Sequence, residues 1–157
     1  MENYFLLKMI HILSAVVVAG TGTGIAFFMY MANRSANIAA IAVTARHVVL
    51  ADWIFTAPAV VTQFWTGLLL MHKLGYSFSS SWFHAVLSLF LFIGACWLPV
   101  LVLQYRLKSL AEASLASGQL TPEFSKLMRY WVVLGIPAFV AILVIFWLMV
   151  FKPLPVI

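Results

Sequence analysis

Charge is scarce in this chain. Of its 157 residues, nine are Lys or Arg and four are Asp or Glu, so charged residues make up only 8%, against about 25% in a typical soluble domain. A 150-residue globule leaves roughly 30% of its unfolded-chain surface in water, and so few charges cannot solvate it. The shortage excludes a soluble enzyme, a nucleic-acid-binding domain and a disordered chain. The net charge of +5 is then loop charge on a membrane protein and not a phosphate-binding patch. Cysteine is nearly absent too. The single Cys96 excludes an internal disulfide framework, and inside Gly94-Ala95-Cys96-Trp97 it reads as a buried inert thiol. There is no P-loop, no Rossmann fingerprint, no zinc-type Cys/His spacing and no nucleophile–base–acid constellation. Hydrolase and kinase chemistry have nothing to stand on. No signal peptide is evident: the apolar stretch from Tyr4 is too long for one and leads into no soluble mature chain.

What is present is apolar sequence, 65% of the chain. It falls into four continuous runs, at about 4–31, 48–71, 82–103 and 131–151. Each exceeds the ~20 residues needed to cross ~30 Å of hydrocarbon. The runs do not alternate, and lipid forces backbone hydrogen bonds to close within the segment, so helices are expected over strands. The expected fold class is all-α: a four-helix bundle in the membrane, one transmembrane domain over 1–157. Residues 32–47 read as a small polar loop with room for a helical turn, and 73–81 as a tight Gly/Ser-rich turn. The third helix is expected to run past the membrane through Leu107, Leu110 and Leu115. Thr121-Pro122-Glu123 has the signature of a helix start, with Thr as cap and Pro in the first turn, so a short helix is expected in this last loop. Pro58, Pro99 and Pro137 should each free a carbonyl and kink their helices.

Basic residues set the orientation. Arg34, Arg46, Arg106, Lys108, Lys126 and Arg129 lie in or beside the first and third loops. Lys8, Lys73 and Lys152 lie near the termini and the middle turn. The excess places the two longer loops in the cytoplasm and both termini outside. The expected location is a bacterial inner membrane. Aromatic residues near the run ends, among them Tyr4, Tyr30, Trp82, Tyr105 and Tyr130, fit an interfacial belt.

Polar groups at membrane depth are costly and default to functional hypotheses. Here they are His11, Arg46, His47, Asp52, Gln63, His72 and His84. His11, His72 and His84 would share the outer level, joined there by Met71 and Met149. Neutral imidazole is a strong ligand for haem iron or copper, and thioether sulfur suits both. For each residue the structural alternative stays open: a histidine bonded to a neighbouring helix, a methionine that merely packs. Gly20 and Gly24 form a GxxxG pair, which admits another helix or a flat ligand close to the backbone. Asp52, Thr56 and Gln63 are spaced to share one helix face. A carboxylate there needs a partner, and Arg46 stands nearby in sequence. The pair reads either as a structural ion pair or as a polar anchor, proton path or substrate contact.

The segments Lys8-Met9-Ile10-His11-Ile12, Thr56-Ala57-Pro58-Ala59-Val60 with Thr66-Gly67-Leu68, Gly94-Ala95-Cys96-Trp97-Leu98-Pro99-Val100 and Phe146-Trp147-Leu148-Met149-Val150-Phe151-Lys152-Pro153 resemble a family of small bacterial integral membrane proteins of unknown function. The resemblance spans nearly the whole chain. More distantly, Lys8 with His11, Ala57-Pro58-Ala59 before Gly67-Leu68, Trp82-Phe83-His84-Ala85-Val86-Leu87 and Lys152-Pro153 resemble, in order, landmarks of HemJ-type protoporphyrinogen oxidases. The chain departs at Val86, where that family carries a lysine. This resemblance implies haem b with His11 as an iron ligand, and chemistry on a porphyrinogen or exchange with quinones. Copper-resistance membrane proteins of the CopD type share the general architecture.

The expected function is therefore that of a membrane haem b protein with a redox role, with His11 and His84 as axial ligands and His72 or Met149 as substitutes. Gly20 and Gly24 would let the macrocycle or a helix approach, and Asp52 with Arg46 would anchor or relay. The alternatives are a copper site built from His11, Met71, His72, His84 and Met149, or a non-catalytic scaffold subunit. Expected partners are the lipid bilayer, a quinone or porphyrin-like ligand and a second copy of the chain in a homodimer, with no nucleic acid.

Overall fold

A computed structural model describes residues 2–155. They form five α-helices: α1 (Glu2–Arg34), α2 (Ile38–Ala51), α3 (Ala57–Leu74), α4 (Ser81–Ser117) and α5 (Pro122–Phe151). A π-helical turn, Asp52–Thr56, joins α2 to α3 without a break, so α2, the π turn and α3 make one 37-residue rod. The result is four long apolar rods and no strand among the described residues: an all-α membrane bundle.

The helix ends are written in local chemistry. The side chains of Asn37, Ser80 and Thr121 accept hydrogen bonds from the backbone N–H groups of Ala40, Phe83 and Phe124, each satisfying one of the orphan donors of a first turn. Gly75 and Gly118 close α3 and α4 in the left-handed conformation, where glycine carries no Cβ penalty. Thr121-Pro122 does start a helix. That helix is α5 itself, which enters the membrane run directly instead of ending in the loop. Pro99 and Pro137 lie inside unbroken α4 and α5, whereas Pro58 is the second residue after the π turn, in the first turn of α3.

The largest departure from the sequence expectation is at residues 32–47. Only Ser35–Asn37 is non-helical. Ile38-Ala39-Ala40-Ile41-Ala42 continues as α2, because Asn37 caps it and Ile41, Ala45, Val48 and Val49 bury one face. Alanine's high helix propensity and a three-to-four spacing outweigh the modest polarity.

The core sits at one end of the bundle, where α1 ends, α2 begins, α4 ends and α5 begins. This basic end packs Met29, Ile41, Leu107, Ala111, Phe124 and Trp131 among others. Toward the opposite, terminal end the rods separate into two pairs. α4 lies along α5 and α3 along α1, while α3 makes no close backbone approach to α4 or α5. Phe64 and Phe90, stacked with centroids 5.7 Å apart, span that gap. The terminal end is tied by Trp82, whose indole N–H donates to the Leu148 carbonyl (2.9 Å) and whose backbone N–H donates to Pro155 (3.3 Å). Lys152 adds a hydrogen bond to the Tyr76 hydroxyl. Around the bundle, Phe28, Leu91, Leu98, Val133 and Val150 are all more than 60% exposed. Apolar exposure on every rod is stable only against lipid.

Candidate functional site

Two polar clusters lie within the apolar rods. The first is built on His11. α1 and α3 run antiparallel, and His11 and Ser14, three residues apart on α1, meet Gln63, Thr66 and Gly67 on α3. Three-residue spacing puts each set on a single helix face.

One arrangement of the hydrogens gives both ring nitrogens a partner. The Thr66 hydroxyl donates to the Thr62 carbonyl at 2.6 Å. Its oxygen therefore accepts from His11 Nδ1–H, at 2.8 Å. Ser14 has one hydroxyl hydrogen for two acceptors, the Gln63 side-chain oxygen at 2.6 Å and the His11 carbonyl at 2.9 Å; given to Gln63, it turns the amide nitrogen toward His11 Nε2, 3.0 Å away. An amide nitrogen only donates, so Nε2 offers its lone pair. In this arrangement the imidazole is neutral, with the proton on Nδ1 and the lone pair on Nε2. Gly67 makes room for the ring: a Cβ there would stand 3.3 Å from His11 Cε1.

The second cluster is on the π turn. Asp52 is 3% and Thr56 6% exposed, and neither Asp52 Oδ2 nor Thr56 Oγ1 has a hydrogen-bond partner. Arg46 is not that partner. Its guanidinium donates from Nε (3.1 Å) and Nη2 (2.9 Å) to Glu112 Oε1 on α4. The ion pair joins the α2 and α4 rods at the basic end and leaves Asp52 alone, so the structure does not bring Arg46 and Asp52 together. Next to Asp52, Trp53 donates to the Tyr105 hydroxyl at 2.7 Å, a second tie to α4.

The remaining candidates are scattered. His72, in the last turn of α3, and His84, in the first turn of α4, are exposed, as is His47 on α2. Met71 is buried, four residues beyond Gly67 and so on the same face of α3, while Met149 is half-buried on α5. Among the described residues no three His, Cys, Asp or Glu side chains group as a metal-binding set. Gly20 and Gly24 line an apolar groove with Thr23 and Phe27 on α1 and Phe139, Leu143 and Phe146 on α5. Gly20 is nine residues from His11, half a turn out of phase at 3.6 residues per turn. The groove and the imidazole therefore lie on opposite sides of α1.

Sequence reading singled out His11, Asp52, Thr56 and Gln63. It gave no role to Ser14, to Thr66 as a positioning group, or to Glu112. Ser14 and Thr66 were findable as polar residues three positions from His11 and Gln63. Glu112 was not, because nothing local points across 66 residues to Arg46.

No curated protein and no solved structure matches the chain. A family model does, over residues 5–153. With four rods long and apolar enough to span a bilayer and an apolar shell around them, the chain belongs to the family described as "Predicted integral membrane protein (DUF2269)".

Proposed function

We propose that this multi-pass membrane protein binds haem b through His11 and has a redox role, in electron transfer or in oxidation of a lipophilic substrate such as a quinol or porphyrinogen. The observation that carries the reading is the placement of His11 between Thr66 on Nδ1 and the Gln63 amide on Nε2. An axial imidazole must present a lone pair, and a hydrogen bond on the other ring nitrogen sets which one. Here Thr66 holds Nδ1–H, and Nε2 faces only the movable Gln63 amide. The residues present fit one axial ligand. His84, His72 and Met149 remain the proposed sources of a second. The bound group would supply the one-electron chemistry, and the protein its ligands, orientation and low-dielectric surroundings. The reading accords with the likeness of Lys8 and His11 to HemJ-type oxidases and keeps copper, as in CopD-type proteins, as the alternative cofactor. It also includes a bacterial inner-membrane location with the basic end in the cytoplasm, and a homodimer.

A second reading is favoured by one observation: in the structure both ring nitrogens of His11 are already satisfied. The cluster would then be a polar clasp between α1 and α3 in a scaffold subunit.

Optical spectra of the purified chain, oxidised and dithionite-reduced, decide between them. A Soret band with sharp reduced α and β bands, lost in His11→Ala, is the expected result. A colourless protein from haem-replete cells overturns the haem reading. Copper analysis of the same sample then separates a copper site from the clasp.

A further inference from the structure

The Asp52 cluster has no part in the reading above, yet it is the most expensive feature of the fold. A desolvated carboxylate needs a compensating charge or hydrogen bonds, and Asp52 Oδ2 has neither. The ionisable groups of the neighbouring elements do not supply it. On α1, which packs against the π turn, the register of Ser14 on Gln63 carries Asp52 to the level of Ile25. The nearest ionisable residues on that rod, Tyr30 and Arg34, are exposed. On α2, Arg46 is engaged by Glu112 and His47 is exposed. α3 carries none before His72. Across at α4, Tyr105 accepts from Trp53, and Arg106 is exposed.

The oxygens, in contrast, converge. Thr56 stands one turn after Asp52 on the same face, with its own hydroxyl unpartnered and 6% exposed. The backbone between them is π-helical, with Ala57 N–H reaching back to the Asp52 carbonyl. Pro58 follows and has no N–H to give to the turn before it. The rod is unbroken here, and π turns within helices concentrate at functional positions.

We propose that Asp52 and Thr56, on the π turn ahead of Pro58, form a binding site for a small hard monovalent cation, a sodium ion. One carboxylate and one hydroxyl are oxygen donors, the kind hard cations take. A single negative charge matches a single positive one. The site is independent of His11 and stands whether or not the protein holds haem.

The test is sodium titration of the full chain in nanodiscs, with choline as the balancing ion, read by tryptophan fluorescence, since Trp53 adjoins Asp52. A saturable response to sodium, weaker for potassium, is expected. Asp52→Asn should weaken it by about tenfold or more, as for loss of a charged oxygen partner. Thr56→Val should weaken it less, and Thr56→Ser should restore it. Circular dichroism and size-exclusion profiles matching wild type show that the variants fold, and the Thr56 pair carries the test if Asp52→Asn does not. No saturable response in wild type, an undiminished response in Asp52→Asn, or a response to pH that sodium does not displace would each overturn the proposal.

Discussion

His11 and Thr66 share a 2.8 Å hydrogen bond in which the imidazole is the donor, because the threonine hydroxyl hydrogen is committed to the Thr62 carbonyl. One threonine therefore sets both the tilt of the ring and the nitrogen that keeps a lone pair. Removing it should matter more than removing the opposite partner. Thr66→Val is expected to cost roughly 0.6–1.7 kcal/mol of stability, the range for interhelical hydrogen bonds in membranes. It should also lower haem content in cells. Gln63→Ala, which bares Nε2, should keep or raise haem content while costing a similar amount of stability. Pigment-to-protein ratios and chemical unfolding in detergent check both. Equal loss of pigment in the two variants would contradict the tautomer argument.

Gly67 has a steric role. A Cβ placed 3.3 Å from His11 Cε1 forces a ring that two hydrogen bonds hold in place. Gly67→Ala should destabilise by about 1–3 kcal/mol, as overpacking does, although alanine is the better helix former. Gly20→Ala, whose Cβ meets nothing within 4 Å, should be neutral or stabilising, by up to about 1 kcal/mol. Thermal midpoints of the two variants side by side provide the comparison.

The Arg46–Glu112 pair is partly solvent-exposed, with side chains at 58% and 34%. Its contribution should be small, about 0–1 kcal/mol, and should shrink with added salt. A double-mutant cycle of Arg46→Ala and Glu112→Ala at low and high salt measures it. A coupling that ignores salt would point to a role beyond surface pairing.

Trp82 closes the terminal end. Trp82→Phe keeps most of the ring but removes the indole donor from the Leu148 carbonyl, which keeps the Lys152 N–H, at an expected cost of about 0.5–1.5 kcal/mol for one lost hydrogen bond. The tail held through Pro155 should then be cleaved faster by carboxypeptidase. An unchanged digestion rate would show that the backbone bond alone holds it.

Much of the architecture was legible because lipid leaves the chain few options. Sixteen residues of mild polarity concealed α2, since Ile41, Ala45 and Val48 bury their face only when α1 and α4 are alongside. Pro58 was visible, but the π turn before it was not. A proline can be accommodated by a kink or by an extra residue in the turn, and packing chooses between them.

Continuous apolar runs, the requirement that backbone bonds close within each segment, and the Thr121-Pro122 helix start determined from sequence alone that this protein is a bundle of membrane helices. They also marked His11 and Asp52 as residues too costly to be idle. Tertiary structure alone decided what those residues meet. It directs His11 to Thr66 and Gln63 and away from the Gly20–Gly24 groove, and it hands Arg46 to Glu112, leaving Asp52 without its nearest cation. The physical reason is directional: a hydrogen bond or an ion pair depends on which helix faces which and at what register, and that information resides in no single segment.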